Sequence, residues 1–121
     1  MAPDLPSSII AEIAFLTETG NLWIKQAAFK TDNTSENPDS IAQLLAYVNM
    51  TRTMIEEICL RCMQLAERSV GARGLMRPNP MERIHRDLTT YLRQPAPDAT
   101  TTAIGEYVLK QETTTGIWDK L

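Results

Sequence analysis

Apolar residues recur every three to four positions along most of the chain, and nowhere do they alternate with polar ones over a sustained run. That period is the helical one, so the pattern predicts an all-α protein. The first stripe is Ile9, Ile13, Leu16, Trp23 and Ala27, with Ile10, Leu22 and Ile24 alongside. Ser7 or Ser8 can open it, because a serine hydroxyl accepts a hydrogen bond from an unpaired amide of the first turn. Gly20 and Asn21 weaken the middle and predict a kink or break there. Thr31 to Asn37 is polar and aperiodic and reads as a loop.

Asn37-Pro38 is a strong helix start: Asn caps, and Pro occupies the first helical position, where a missing N–H costs nothing. The stripe that follows is Ile41, Leu44/Leu45, Val48, Thr51, Ile55, Ile58/Cys59, Cys62, Leu65/Ala66 and Ser69, with no Gly or Pro inside it. At 1.5 Å per residue this helix is about 45 Å long, and helices of that length in a small protein pack lengthwise in a bundle. Gly71 and Gly74 end it. Asn79-Pro80 repeats the start signal, and Ile84, Leu88 and Tyr91 or Leu92 give the third helix an apolar side. Gln94-Pro95-Ala96-Pro97 breaks that helix, and Asp98 caps a fourth with Ala103, Ile104, Tyr107 and Val108. Thr113 to Leu121 reads as a frayed tail in which Ile117 and Trp118 have the means to dock. The predicted architecture is an up-and-down four-helix bundle over residues 8–111, between an irregular start (1–7) and a tail (112–121). Short connections favour antiparallel neighbours.

Composition agrees. The 121 residues suit one domain, able to bury roughly two-thirds of its unfolded surface without a staple. With seven aromatics, the core must rest on aliphatic residues and Met. No apolar run approaches the roughly 20 residues that span a bilayer. No basic region precedes the first apolar residues, so no signal peptide is expected and the cytoplasm is the default compartment. Neither a membrane nor a nucleic-acid partner is expected.

Charge is unevenly placed. The net value is -3, yet residues 61–93 hold seven arginines against Glu67, Glu82 and Asp87. A guanidinium can grip a phosphate in a planar, bidentate manner. The blander use is ion pairing with neighbouring helices, and such surface pairs are common. Cys59 and Cys62 form C-x-x-C inside a helix, on its apolar stripe. Redox pairs gain reactivity at helix N-termini, and zinc needs four ligands, so these two read as buried reduced thiols and no metal site is expected. His85, the single histidine, has no nucleophile at a recognisable spacing and reads as a surface or interface residue. Arg83 and Asp87, four apart, can pair along a helix. A glycine turn beside a helix start can also hold a phosphate through exposed amides.

The run Gly71-Ala72-Arg73-Gly74-Leu75, then Asn79-Pro80-Met81-Glu82-Arg83-Ile84-His85-Arg86-Asp87-Leu88, resembles the C-terminal helical domain of the acyl-CoA dehydrogenase superfamily. The tail Thr102-Ala103-Ile104-Gly105-Glu106-Tyr107 is similar to its flavin-dependent monooxygenase branch. The likeness covers roughly residues 8–111. It implies FAD seated between a middle β-domain and this bundle, with the glycine turn reaching the flavin of a neighbouring subunit. The implied cofactor contacts are Arg68, Gly71, Ala72 and Gly74, the last three through backbone amides. Bundles of this family build the dimer or tetramer core, so a homodimer or homotetramer is implied.

The departures carry equal weight. Where many dehydrogenases place a catalytic Glu, this sequence has Gln94-Pro95, and Arg93 stands where the monooxygenase branch has a His. No residue here is assigned as catalytic. The sequence also has no counterpart of the N-terminal and middle domains. The expected role is therefore a stand-alone helical domain that oligomerises or completes the flavin site of a flavoprotein partner. The alternative is the C-terminal part of an FAD-dependent dehydrogenase or monooxygenase. A bundle binding a small apolar ligand is a third reading, with no polar residues to mark it.

Overall fold

In the computed structural model, which describes residues 7–70, 80–92 and 97–119, the chain forms four helices and, among the described residues, no strand. They are α1 (Ser7–Asn33), α2 (Pro38–Val70), α3 (Pro80–Leu92) and α4 (Pro97–Leu109). The all-α, four-helix expectation holds.

The start of α2 is built as its sequence predicts. The Asn37 side-chain oxygen accepts a hydrogen bond from the Asp39 amide (2.8 Å), and the Asn37 carbonyl accepts one from the Ile41 amide (3.0 Å). One orphan amide of the first turn is thereby satisfied. The helix then runs for 33 residues, about 50 Å.

Helix α1 lies antiparallel along α2. Glu12 meets Arg61, Gly20 faces Ile55, and Trp23 and Lys30 meet Tyr47, so positions rise on one helix as they fall on the other. The expected break at Gly20 and Asn21 does not occur; α1 continues through both. Gly20 is there for contact. A Cβ at this position would stand 3.3 Å from Ile55 Cδ1 and 3.7 Å from Ile58 Cδ1, so the missing side chain lets the helices approach. The helix also outlasts the expected boundary at Thr31. Thr31 and Asn33 each donate from the side chain to the carbonyl four residues back, which holds the last turn together.

The buried line of α2 is Thr51, Ile58 and Leu65, spaced by seven, with Ala46, Tyr47 and Met63. Leu65, at 1% exposure, is the centre of the core. Thr51 is tolerated there because its hydroxyl donates to the Tyr47 carbonyl (3.0 Å). The expected stripe is shifted at its start: Ile41, Leu45 and Val48 are exposed. Helix α4 is the other helix packed closely on α2, with Ile104, Tyr107 and Val108 half-buried. It starts at Pro97, which puts Asp98 in the first turn rather than at the cap. Helix α3 is joined to α2 by a contact between His85 and Glu67 and buries Leu92.

The stretch after α4 is no frayed tail. A turn over Gly116 (φ 71°), closed by the Asp119 amide donating to the Gly116 carbonyl (3.3 Å), lays Trp118 back on the bundle. The positive φ is one that glycine adopts freely.

Candidate functional site

Two places hold organised polar and aromatic chemistry: the region where α2 gives way to α3, and the surface covered by Trp118. The first is where sequence puts the cofactor contacts. Arg68 sits exposed in the last turn of α2. Gly71, Ala72 and Gly74 lie outside the described residues, as does the Arg93–Gln94–Pro95 region.

Around Arg68 the charges are mostly matched. Arg61 reaches Glu12 of α1 (2.8 Å) and Gln64 (3.3 Å). Arg83 pairs with Asp87 (3.6 Å) and Arg86 with Glu82 (3.8 Å), each one turn apart on α3. The Arg83–Asp87 pair is the one expected from spacing, and both partners are largely exposed, so water screens it heavily. Arg68 differs: among the described residues no carboxylate pairs with it. Its guanidinium is exposed.

His85 Nε2 lies 2.8 Å from Glu67 Oε1, an α3-to-α2 contact next to Arg68. That agrees with an interface histidine. No nucleophile is placed against it among the contacts described. The thiols of Cys59 and Cys62 are both pushed above the ordinary thiol range by burial, with the nearby charges of Cys59 and Glu12 adding to the effect at Cys62. They stay protonated near neutrality and are poor nucleophiles. Among the described residues no group of three or more His, Cys, Asp or Glu is gathered as a metal site.

The second place was barely visible in sequence. Trp118 stacks on Tyr107 (centroids 5.7 Å apart) and meets Tyr47 edge-on (5.8 Å), and Tyr47 in turn tilts against Trp23 (5.6 Å). Lys30, only 6% exposed, donates from Nζ to the Trp118 carbonyl and lies 5.0 Å from the Tyr47 ring centre. Gln43 donates to the Ile117 carbonyl. Burial raises the Tyr47 phenol; Tyr107 is raised first by burial and then by the Asp39 charge. The void among Lys30, Thr34, Gln43, Tyr47 and Trp118 is about 10 Å³, room for one water at most. This cluster is a joint between the stretch after α4 and helices α1 and α2. Ile117 and Trp118, apolar neighbours in an otherwise polar tail, were its sequence signal.

A family model described as the acyl-CoA dehydrogenase C-terminal domain matches residues 8–93. The chain belongs to the acyl-CoA dehydrogenase C-terminal domain family. No curated protein and no solved structure matches it. In this acyl-CoA dehydrogenase C-terminal domain the match takes in α2, α3 and nearly all of α1, whereas α4 and the Trp118 turn lie beyond it. Among the described residues, no helix is long and apolar enough to cross a membrane.

Proposed function

We propose that this chain is the helical module of a flavin site, supplying one wall of an FAD seat and a surface for self-association, without catalysis of its own. The observation that carries the reading is the family match over residues 8–93 together with Arg68, exposed in the last turn of α2, without a carboxylate partner among the described residues and three positions before Gly71 in sequence. Arg68 would meet the pyrophosphate, and Gly71, Ala72 and Gly74 would offer backbone amides. The rest of the seat comes from other polypeptide, either a partner flavoprotein or further sequence of the same enzyme. Protonated thiols and the Gln94-Pro95 replacement of the family's Glu support the reading that these residues do not supply the family's base or a nucleophile. The half-exposed apolar side chains of α1 support the self-association half of the proposal.

The test is an amide NMR titration of the chain with FAD to millimolar concentration. The expected result is weak, one-sided binding, with shifts centred on Arg68, Gly71, Ala72 and Gly74 and reduced at least fivefold in Arg68→Glu. Absence of shifts at those amides removes the flavin wall from the proposal. Tight FAD binding with turnover of a thioester or aromatic substrate by these residues alone overturns the claim that the chain is not catalytic.

A further inference from the structure

Cys59, Cys62 and Met63 bring three sulfur atoms into one short stretch of the second half of α2. At about 100° per residue, Cys59 lies between the other two around the helix, about 60° from Cys62 and about 40° from Met63, and roughly one turn before both. Both cysteines are free and half-buried, and Met63 is buried. The charge of an ionised Cys59 is felt at Cys62, so the two sulfurs are within electrostatic reach of each other. Long side chains on a helix lean toward its N-terminus, which inclines the flexible Met63 thioether over the turn that holds Cys59.

Spacing decides what such a group can do. Residues three apart on a helix carry Cβ atoms about 5–6 Å apart, whereas a disulfide needs about 3.5–4.5 Å. Joining Cys59 directly to Cys62 would distort α2, which runs unbroken through both. An ion held between the two sulfurs spans the wider gap, since two metal–sulfur bonds of about 2.3 Å end to end reach about 4.6 Å. Zinc asks for four ligands and hard cations for oxygens, and among the described residues no third His, Cys, Asp or Glu is gathered with the pair. Monovalent copper is satisfied by two or three sulfurs, and thiolate and thioether donors select it.

We propose that Cys59 and Cys62 form a Cu(I) site on α2, with Met63 as a third, weaker sulfur donor. Each thiol releases its proton as its sulfur–copper bond forms, so two protons leave per ion and the copper stays monovalent. Burial raises both thiols, so protons compete strongly near neutrality, and the more basic sulfurs are the stronger donors once freed. Half-burial leaves the ion a way in. The site uses none of Arg68, Gly71, Ala72 and Gly74, so it stands or falls apart from the flavin reading.

The test is a titration with Cu(I) itself, added as its acetonitrile complex under argon in competition with bicinchoninate. The wild type is expected to take one equivalent, with an apparent association constant that rises by up to about a hundredfold per pH unit below the thiol range, the mark of two departing protons. Cys59→Ser and Cys62→Ser are each expected to weaken binding by about a hundredfold or more, and Met63→Leu by about tenfold. Circular dichroism should show the same helix content in every variant and on loading, because the ion fits the helix as it stands. X-ray absorption of the loaded wild type, a readout independent of how the variants fold, should show sulfur alone around the copper. Loss of the ion to millimolar glutathione overturns the site, as do binding that survives replacement of both cysteines by serine, a nitrogen or oxygen shell, or melting of the helix on loading. Unchanged affinity in Met63→Leu overturns the third donor and leaves the two-thiolate site.

Discussion

Lys30 of α1 donates from its ammonium group to the backbone carbonyl of Trp118, 88 residues further along the chain. The ammonium also lies over the Tyr47 ring, so the charge is held by a carbonyl and a π face rather than by an acid among the described residues. Hydrogen bonds to charged groups and desolvated cation–π contacts each contribute about 1–2 kcal/mol, offset in part by the cost of burying the charge. Trp118→Ala is expected to destabilise the fold by about 2 kcal/mol, because a half-buried Trp loses less than a core Trp. Lys30→Met is expected to cost about 1 kcal/mol. The double variant should cost less than the two together, since both remove the same contact; urea unfolding of all four proteins measures this coupling. Strict additivity would show that the joint is energetically idle.

Two helical glycines should respond in opposite ways. Gly105 in α4 has nothing within 4 Å of a built Cβ, so Gly105→Ala should gain the helix propensity of alanine, about 0.5–1 kcal/mol, and raise the melting temperature. At Gly20 a methyl would press on Ile55 Cδ1 at 3.3 Å. Gly20→Ala should therefore stay within about 1 kcal/mol of neutral, and Gly20→Leu should cost 2 kcal/mol or more by forcing α1 off α2. Thermal melts of the three variants decide it. A stabilising Gly20→Leu would contradict the close approach.

The thiols give a pH prediction. Burial raises Cys59 and Cys62, so at pH 8 each holds less thiolate than free cysteine. Reaction with a disulfide reagent should run at least tenfold slower than for free cysteine and accelerate as pH climbs past the ordinary thiol range. The same sign governs stability. Tyr47 and Tyr107 are raised too, so the folded state binds these protons more tightly than the unfolded one. Their contribution is complete below the unfolded thiol and phenol values and declines as pH rises from about 8.5 through the folded values. Melting at pH 7, 9 and 10.5 should show a progressive loss.

Helix α3 makes a cross-helix contact with α2, His85 to Glu67, that hydrogen exchange can test. Glu67→Ala removes the acceptor 2.8 Å from His85 Nε2 and should speed amide exchange across residues 80–92 several-fold. A partly exposed pair of this kind is worth about 0.5–1 kcal/mol. Exchange in α1 should hardly change, because its contacts with α2 are separate.

The helices were legible in sequence because capping and periodicity are local. Asn37-Pro38 and Asn79-Pro80 each mark a start that the structure keeps. What failed were positions decided by a partner. Gly20 reads as a weak point within α1 alone and becomes an advantage only once Ile55 lies opposite. Ile41, Leu45 and Val48 have the spacing of a core stripe, yet the buried line of α2 follows Thr51, Ile58 and Leu65 because α1 lies there. Of the site, Arg68 was legible as a candidate through resemblance, and the structure adds that Glu12, Glu82 and Asp87 pair with other arginines. Trp118 was the hardest to place, since a docking residue after an aperiodic stretch leaves no rhythm to read.

The placement of Trp118 also bears on the order in which the molecule is completed during synthesis. Translation delivers α1 and α2 first, and they can zip together while later codons are still being read. The ring that stacks on Tyr107 and caps Tyr47 emerges only after α4, so until then Lys30 has the Tyr47 ring but not the Trp118 carbonyl. The final closure therefore waits on residues made after α4 rather than belonging to early collapse.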